Sequence, residues 1–252
     1  MSDPATPPPA ESSGPTADDP RTAAATGDGL DPIVPAWDWK IMRVLLRAVV
    51  TPAYQYRARG VEHLPDGPAL FLANHQSFLD PVVVGLPLKR PISFVARDNL
   101  FDVPVLRFIL HRAMTMPIRQ QSAAGSLRVP IRRLQDGFFV CLFPEGERTW
   151  DGQMNPLRPG FSALLRRVDV PIVPVGIAGA HEAYARGEKL PRLSGRIRVV
   201  YGPPRRYPDL IQRGRETELL ATMTEALSSV VDEAYAWRDR GDRLISGQAV
   251  SG

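Results

Sequence analysis

Apolar positions along this chain follow two patterns. The first is the short unbroken run: residues 69–73, 138–143 and 171–177 are apolar almost throughout. Runs of that length suit strands buried on both faces of a parallel sheet. Residues 92–96 and 113–118 predict two further strands. Residues 54–61 and 196–201 alternate between polar and apolar positions, the first as an edge strand. The second pattern is helical spacing, found from Pro81 to Leu86, over 103–111, over 122–136 (interrupted or started at Pro130), over 160–168 and over 216–237. Polar stretches separate these segments: a turn at 64–67, a loop at 97–101 and a long loop at 179–195. Strands alternating with helices predict one α/β domain, with a mostly parallel central sheet flanked by helices, over residues 54–240.

Two segments precede that domain. Residues 1–34 are mostly Pro, Ala, Thr, Ser, Gly and Asp, too polar to bury the apolar area that would offset their ordering entropy, and are expected to form a disordered tail. Residues 241–252 are expected to fray. Residues 35–53 predict an amphipathic helix: Trp37, Trp39, Ile41, Met42, Val44, Leu45, Leu46, Val49 and Val50 supply apolar surface, and Lys40, Arg43 and Arg47 form one cationic stripe. Its apolar part is too short to span a bilayer. It fits a helix lying in a membrane interface, a helix packed on the domain, or both.

Composition narrows the picture modestly. Hydrophobic residues make up 44% of the 252 positions, enough for a core of useful size. The single cysteine, Cys141, lies in an apolar run, which suits a reducing compartment and leaves no internal disulfide framework. No charged-then-apolar leader opens the chain. The net charge of +4 is uneven: residues 1–35 hold six carboxylates against Arg21 alone, or −5, leaving +9 for the remainder. A basic domain suggests anionic partners: phosphorylated substrates, anionic lipid or nucleic acid. The cations sit at strand ends among apolar runs, without a basic-aromatic patch or a recognised module, which argues against nucleic acid.

The candidate chemistry lies in the turns that follow the strands. Asn74-His75-Gln76-Ser77-Phe78-Leu79-Asp80 follows the strand at 69–73, and Asp80-Pro81 reads as the cap and first position of a helix. A neutral imidazole can take a proton from a hydroxyl, and a carboxylate on its other ring nitrogen fixes the tautomer and stabilises the imidazolium. Such a pair has no nucleophile of its own, and Ser77 is not in a nucleophile elbow, so the nucleophile could be a substrate hydroxyl. The plainer alternative is a capping Asp80 and a His75 that fills a polar turn. A second turn, Phe143-Pro144-Glu145-Gly146-Glu147-Arg148, offers a glycine for close backbone approach and a guanidinium that matches phosphate oxygens. Arg97 and Arg119 end two more strands, and strand ends along one sheet edge converge in space.

Together these residues resemble the 1-acylglycerol-3-phosphate acyltransferases, the glycerolipid acyltransferases with a His-x4-Asp motif. His75 to Asp80 is similar to that motif, and Phe143 to Arg148 to the family's Phe-Pro-Glu-Gly-Thr-Arg. Arg119 matches the arginine closing the second motif, and residues 170–175 match the fourth. The resemblance implies transfer of a fatty acyl group from an acyl thioester, acyl-CoA or acyl-carrier protein, to the free hydroxyl of a lysophospholipid, with no metal or other cofactor. It implies His75 as general base, Asp80 as its orienter, and Arg97, Arg119, Glu145, Gly146 and Arg148 as the residues that hold the acceptor. It also implies a cytoplasmic protein on the inner face of a membrane. A non-catalytic binder of lipid or phosphate with the same fold is the competing reading, and an intact His75/Asp80 pair argues against it.

The chain departs from the family pattern at Glu147 for Thr, Ala113 for Gly, Asn99 for Glu, and Leu157-Arg158-Pro159-Gly160 for Phe-Lys-x-Gly. A carboxylate beside a phosphate cradle repels a dianion unless it points away or pairs with an arginine.

Overall fold

The computed structural model of the chain describes residues 36–97, 115–118, 127–206 and 216–240. In order, the elements are helix α1 (Ala36–Ala53), strand β1 (Arg57–Arg59), a 3-10 turn (Val61–His63), β2 (Ala69–Ala73), α2 (Asp80–Gly85), β3 (Ile92–Arg97), β4 (Thr115–Ile118), α3 (Arg128–Gln135) and β5 (Phe139–Leu142). A second 3-10 turn (Pro159–Phe161) then leads into α4 (Ser162–Leu165), followed by β6 (Ile172–Ala178), α5 (Ala180–Ala183), β7 (Arg198–Tyr201) and α6 (Glu216–Arg240). The strands form one sheet in the order β1-β7-β6-β2-β5-β3-β4. Every neighbouring pair is parallel except β6 with β7. The mostly parallel α/β sheet is therefore the observed architecture.

The unbroken apolar runs are explained by burial on two sides. Every residue of β2, β5 and β6 is buried. In β2, Ala69, Phe71 and Ala73 face a layer that includes Val83, Val84 and Tyr201, against which Leu46 and Ala53 of α1 pack. Leu70 and Leu72 face the opposite layer, with Leu134 of α3, Leu164 of α4 and Met223, Leu227 and Val230 of α6. Helix α6 lies close on β6 because of Gly176: a Cβ there would come within 2.1 Å of the Val230 carbonyl oxygen. Among the described residues no helix is long and apolar enough to cross a membrane.

Register positions the site. Phe71, Cys141, Phe94 and Thr115 form one row across β2, β5, β3 and β4. Three positions further along each strand come Asn74, Pro144, Arg97 and Ile118, so the segments following these strands leave along one carboxyl edge.

Several elements differ from expectation. The edge strand expected over 54–61 is reduced to β1, because Gln55 takes a left-handed φ of 40° and turns Tyr54 and Tyr56 into the core. The helix expected over 122–136 is α3, with Pro130 inside its first turn, and that expected over 160–168 contracts to the 3-10 turn and α4. The 179–195 loop contains α5, started by Gly179 at φ 92°. The alternating strand at 196–201 is instead buried throughout β7, where the Arg198 guanidinium bonds the carbonyls of Gln55 and Ile197 and lies over Trp237. Arg97 closes β3, the strand end expected of it. The tails, residues 98–114 with their expected helix, and Arg119 lie outside the described residues.

Candidate active site

The turn after β2 is held from three sides. Asn74 is fully buried; its side-chain amide donates to the Ile177 carbonyl at 3.0 Å and accepts the Ile177 N–H at 2.7 Å, which fastens the end of β2 to β6. His75 follows, and the segment after β5 takes both of its backbone groups. Its N–H donates to Glu145 Oε1 at 2.7 Å, and its carbonyl accepts from Thr149 N–H at 2.9 Å. The imidazole stacks on Phe143, with ring centroids 4.0 Å apart and planes 17° apart.

Asp80 sets the tautomer. Its side chain is wholly buried, and Oδ2 lies 2.7 Å from His75 Nδ1. The same oxygen accepts the backbone N–H groups of Gln76 at 2.6 Å and Ser77 at 2.7 Å. Asp80 is thus the first residue of α2 rather than its cap, which is Leu79, and its carboxylate organises the preceding turn. An acceptor carboxylate on Nδ1 leaves Nε2 as the ring's proton-accepting nitrogen. Among the described residues no hydrogen bond engages Nε2, and His75 is 19% exposed. Ser77 Oγ donates to the Tyr184 carbonyl at 2.8 Å and accepts from Leu79 N–H, so it acts as a tie.

Glu145 is placed beneath the turn. Both oxygens accept backbone N–H groups, Oε1 from His75 and Oε2 from Asn155 at 2.8 Å, and the residue is 2% exposed. Burial pushes its carboxyl up to about 7, the two N–H groups oppose that shift, and the Asp80 charge adds to it. In this position it anchors His75 rather than facing an acceptor.

Gly146 makes the turn possible. Its φ is 76°, and a Cβ there would come within 2.8 Å of Arg158 Cδ and Nε. Arg158 bonds the Glu145 carbonyl through Nε at 2.9 Å. Gly146→Ala is expected to cost about 1–2 kcal/mol in denaturant unfolding, from the left-handed backbone alone, and to lift Arg158 off the turn.

Glu147 pairs with arginines, the condition under which an acid is tolerable there. Oε1 accepts from Arg158 Nη2 at 2.9 Å and Oε2 from Arg186 Nη1 at 3.1 Å. The Arg186 bond leads in holding its carboxyl below the usual range. The Arg148 guanidinium lies 3.5 Å from the Phe78 ring centroid. Burial, then the Arg186 charge, pull its pKa below the ordinary arginine value, and Asp80 opposes them.

The structure thus brings together His75, Asp80, Glu145, Gly146 and Arg148. Arg97 stands at the end of β3, on the same sheet edge, with its side chain outside the described part. Sequence reasoning missed Thr149, Arg186 and Tyr235, and named Arg158 only as a departure from the family pattern. Gln76 Nε2 donates to the Tyr235 hydroxyl at 2.5 Å and to the Gly152 carbonyl at 2.9 Å, so α6 supports the turn from below. The 179–195 segment lies on the site: the Tyr184 ring centroid is 5.9 Å from that of Phe78.

One sheet edge thus carries a buried Asp-His pair beside an arginine-rich turn, and comparison with known proteins shows what the chain is similar to. The family model described as Acyltransferase matches residues 55–178, and the chain belongs to that family. The chloroplastic 1-acyl-sn-glycerol-3-phosphate acyltransferase BAT2 of Brassica napus is 28% identical over 160 residues, 62% of this chain and 46% of that protein. The 1-acyl-sn-glycerol-3-phosphate acyltransferase of Pseudomonas aeruginosa is 29% identical over 201 residues, 75% of this chain and 76% of that one. The chain thus spans about half the length of the Brassica relative but most of the Pseudomonas one. The crystal structure of the 1-acyl-sn-glycerophosphate acyltransferase PlsC from Thermotoga maritima superposes with a TM-score of 0.63 at 22% identity, covering 79% of this chain and 82% of that chain, a likeness of fold.

Proposed function

We propose that the protein transfers a fatty acyl group from an acyl thioester to the free hydroxyl of a lysophospholipid, with 1-acylglycerol-3-phosphate as acceptor and phosphatidic acid as product. The observation that carries this reading is the 2.7 Å contact between His75 Nδ1 and the buried Asp80 carboxylate, which leaves Nε2 as a base. In the proposed reaction Nε2 takes the proton of the acceptor hydroxyl as its oxygen attacks the thioester carbonyl. The C–O bond forms, the C–S bond breaks, and the proton passes from His75 to the departing sulfur. Asp80 stabilises the imidazolium formed between those steps. Arg148 holds the acceptor phosphate, with Arg97 and Arg119 assigned the same task by the family resemblance, while Gly146 lets the backbone come close. Glu145 acts through His75 as a positioning residue. The relatives' names support the acceptor.

The test is an acceptor panel. Purified protein is offered labelled acyl-CoA with lysophosphatidic acid or with lysophospholipids lacking a terminal phosphate monoester, and then acyl-carrier-protein donors. Transfer confined to lysophosphatidic acid supports the proposal; transfer to another acceptor alone contradicts the substrate.

An acceptor dissolved in a bilayer calls for a protein at its surface, and we assign that contact, on the inner face, to α1. Leu46, Val50 and Ala53 pack on the core, while Ile41, Val44, Leu45 and Val49 are more than half exposed along the other side. Lys40, Arg43 and Arg47 follow one another at three- and four-residue spacing, suited to anionic headgroups. Leu45→Glu is expected to lower partition onto anionic liposomes by about tenfold in a flotation assay, without lowering the melting temperature. Unchanged flotation would remove α1 from this role.

A further inference from the structure

One cation at the rim of the site belongs to none of the motif turns. Arg186 follows α5, and its Nη1 donates both to Glu147 Oε2 and to the Arg148 carbonyl, the latter at 2.9 Å. Its guanidinium lies 4.1 Å from the centroid of the exposed Trp150 ring. All of these hydrogen bonds use one nitrogen, so Nε and Nη2 remain unused among the described residues. Arg148 Nη1, in turn, is buried with no hydrogen-bond partner among the described residues. The two guanidinium groups are close enough for the charge of Arg186 to act on Arg148. Like charges held together, each with N–H donors unused among the described residues, suit an anion.

We infer that Arg186 is a second ligand for the acceptor's phosphate monoester beside Arg148, and that Glu147 is the resident counter-ion that tunes its grip. The inference rests on the proposed acceptor. A phosphate monoester carries close to two charges and three terminal oxygens, so it can use both guanidinium groups. A phosphodiester offers one charge and gains less from the second. Glu147 holds Arg186 while the site is empty and repels a dianion once it enters. Removing that carboxylate therefore strengthens monoester binding, and removing Arg186 weakens it.

Steady-state kinetics on the full chain in liposomes test this, with lysophosphatidic acid and lysophosphatidylglycerol as acceptors. Loss of a charge-assisted contact in Arg186→Gln is expected to raise the apparent KM for lysophosphatidic acid about 10- to 100-fold. The corresponding kcat is expected to stay within about threefold, and the diester's KM to change much less. Glu147→Gln is expected to lower the KM for lysophosphatidic acid. If Arg186 serves only to tie its segment to the turn, both variants break the same ion pair and move KM in the same direction for both acceptors, which overturns the inference. Wild-type protein that acylates lysophosphatidic acid, with Arg186→Gln unchanged, overturns the inference alone. Wild-type protein that acylates other lysolipids but not lysophosphatidic acid overturns the acceptor reading and the inference with it.

Discussion

His75→Ala is expected to lower acyl transfer by about 10²- to 10⁴-fold, the range a positioned general base contributes. The loss should fall on kcat, because in the proposed reaction the ring meets the reacting hydroxyl and not the phosphate. The fold should survive: with the ring gone, Asp80 Oδ2 still accepts the N–H groups of Gln76 and Ser77, and Asn74 still fastens β2 to β6. Some stability is lost with the Nδ1 contact, and thermal unfolding measures it. Asp80→Asn is expected to cost nearly as much activity by a different route. Nδ1 and the two backbone N–H groups share Oδ2, so an Asn either keeps its amide oxygen there, without the negative charge that stabilises the imidazolium, or turns its NH2 there, losing both backbone bonds and favouring the tautomer with the proton on Nε2. The double variant should therefore be little worse than either single one. Additive losses would mean that the two residues act separately.

Glu145→Gln is expected to remove an ionisation near neutral pH from the rate profile and to slow transfer about tenfold or more even in alkaline buffer, by displacing His75. The working form of Glu145 is the carboxylate, since each oxygen accepts a backbone N–H. A proton on either oxygen turns an acceptor toward a donor and releases His75 or Asn155. With the carboxyl pushed up to about 7, wild-type activity should rise through that pH as the proton leaves. Stability moves the other way. The folded pKa lies above the ordinary carboxylate value of 4.5, so the native state holds more protons between 4.5 and about 7. Stability linked to this group is full below 4.5 and is lost as pH rises through about 7. The Glu145→Gln variant, whose amide cannot ionise, should flatten that slope in denaturant titrations. A slope and rate profile unchanged in the variant would show that the ionisation belongs elsewhere.

The parts of this molecule that are legible in the sequence share a physical cause. β2, β5 and β6 are buried on both faces, and such strands have no choice but unbroken apolar runs. The turns that follow β2 and β5 are readable because a register that aligns Leu72 with Leu142 also aligns the residues three positions on, His75 and Glu145. What stays hidden depends on backbone angle or on distant pairing. A left-handed Gln55 shortens β1, and nothing in the local pattern of apolar residues announces it. Glu145 reads as a ligand because the family resemblance assigns its whole turn to the acceptor, whereas both of its oxygens are taken by backbone N–H groups. Arg186 lies in a polar run with no periodicity, and its meaning comes from Glu147, 39 positions earlier. Glu147 itself poses the question that the Arg158 and Arg186 pairings answer.

The most direct test of the account is to follow labelled acyl groups from acyl-CoA, and from acyl-carrier protein in parallel, into phosphatidic acid on liposomes containing lysophosphatidic acid. Wild-type and His75→Ala proteins of matched fold, judged by circular dichroism, are compared. Rapid labelling is expected from the wild type and a rate near background from His75→Ala. Equal rates for the two proteins would contradict general-base catalysis by His75, and with it the central claim.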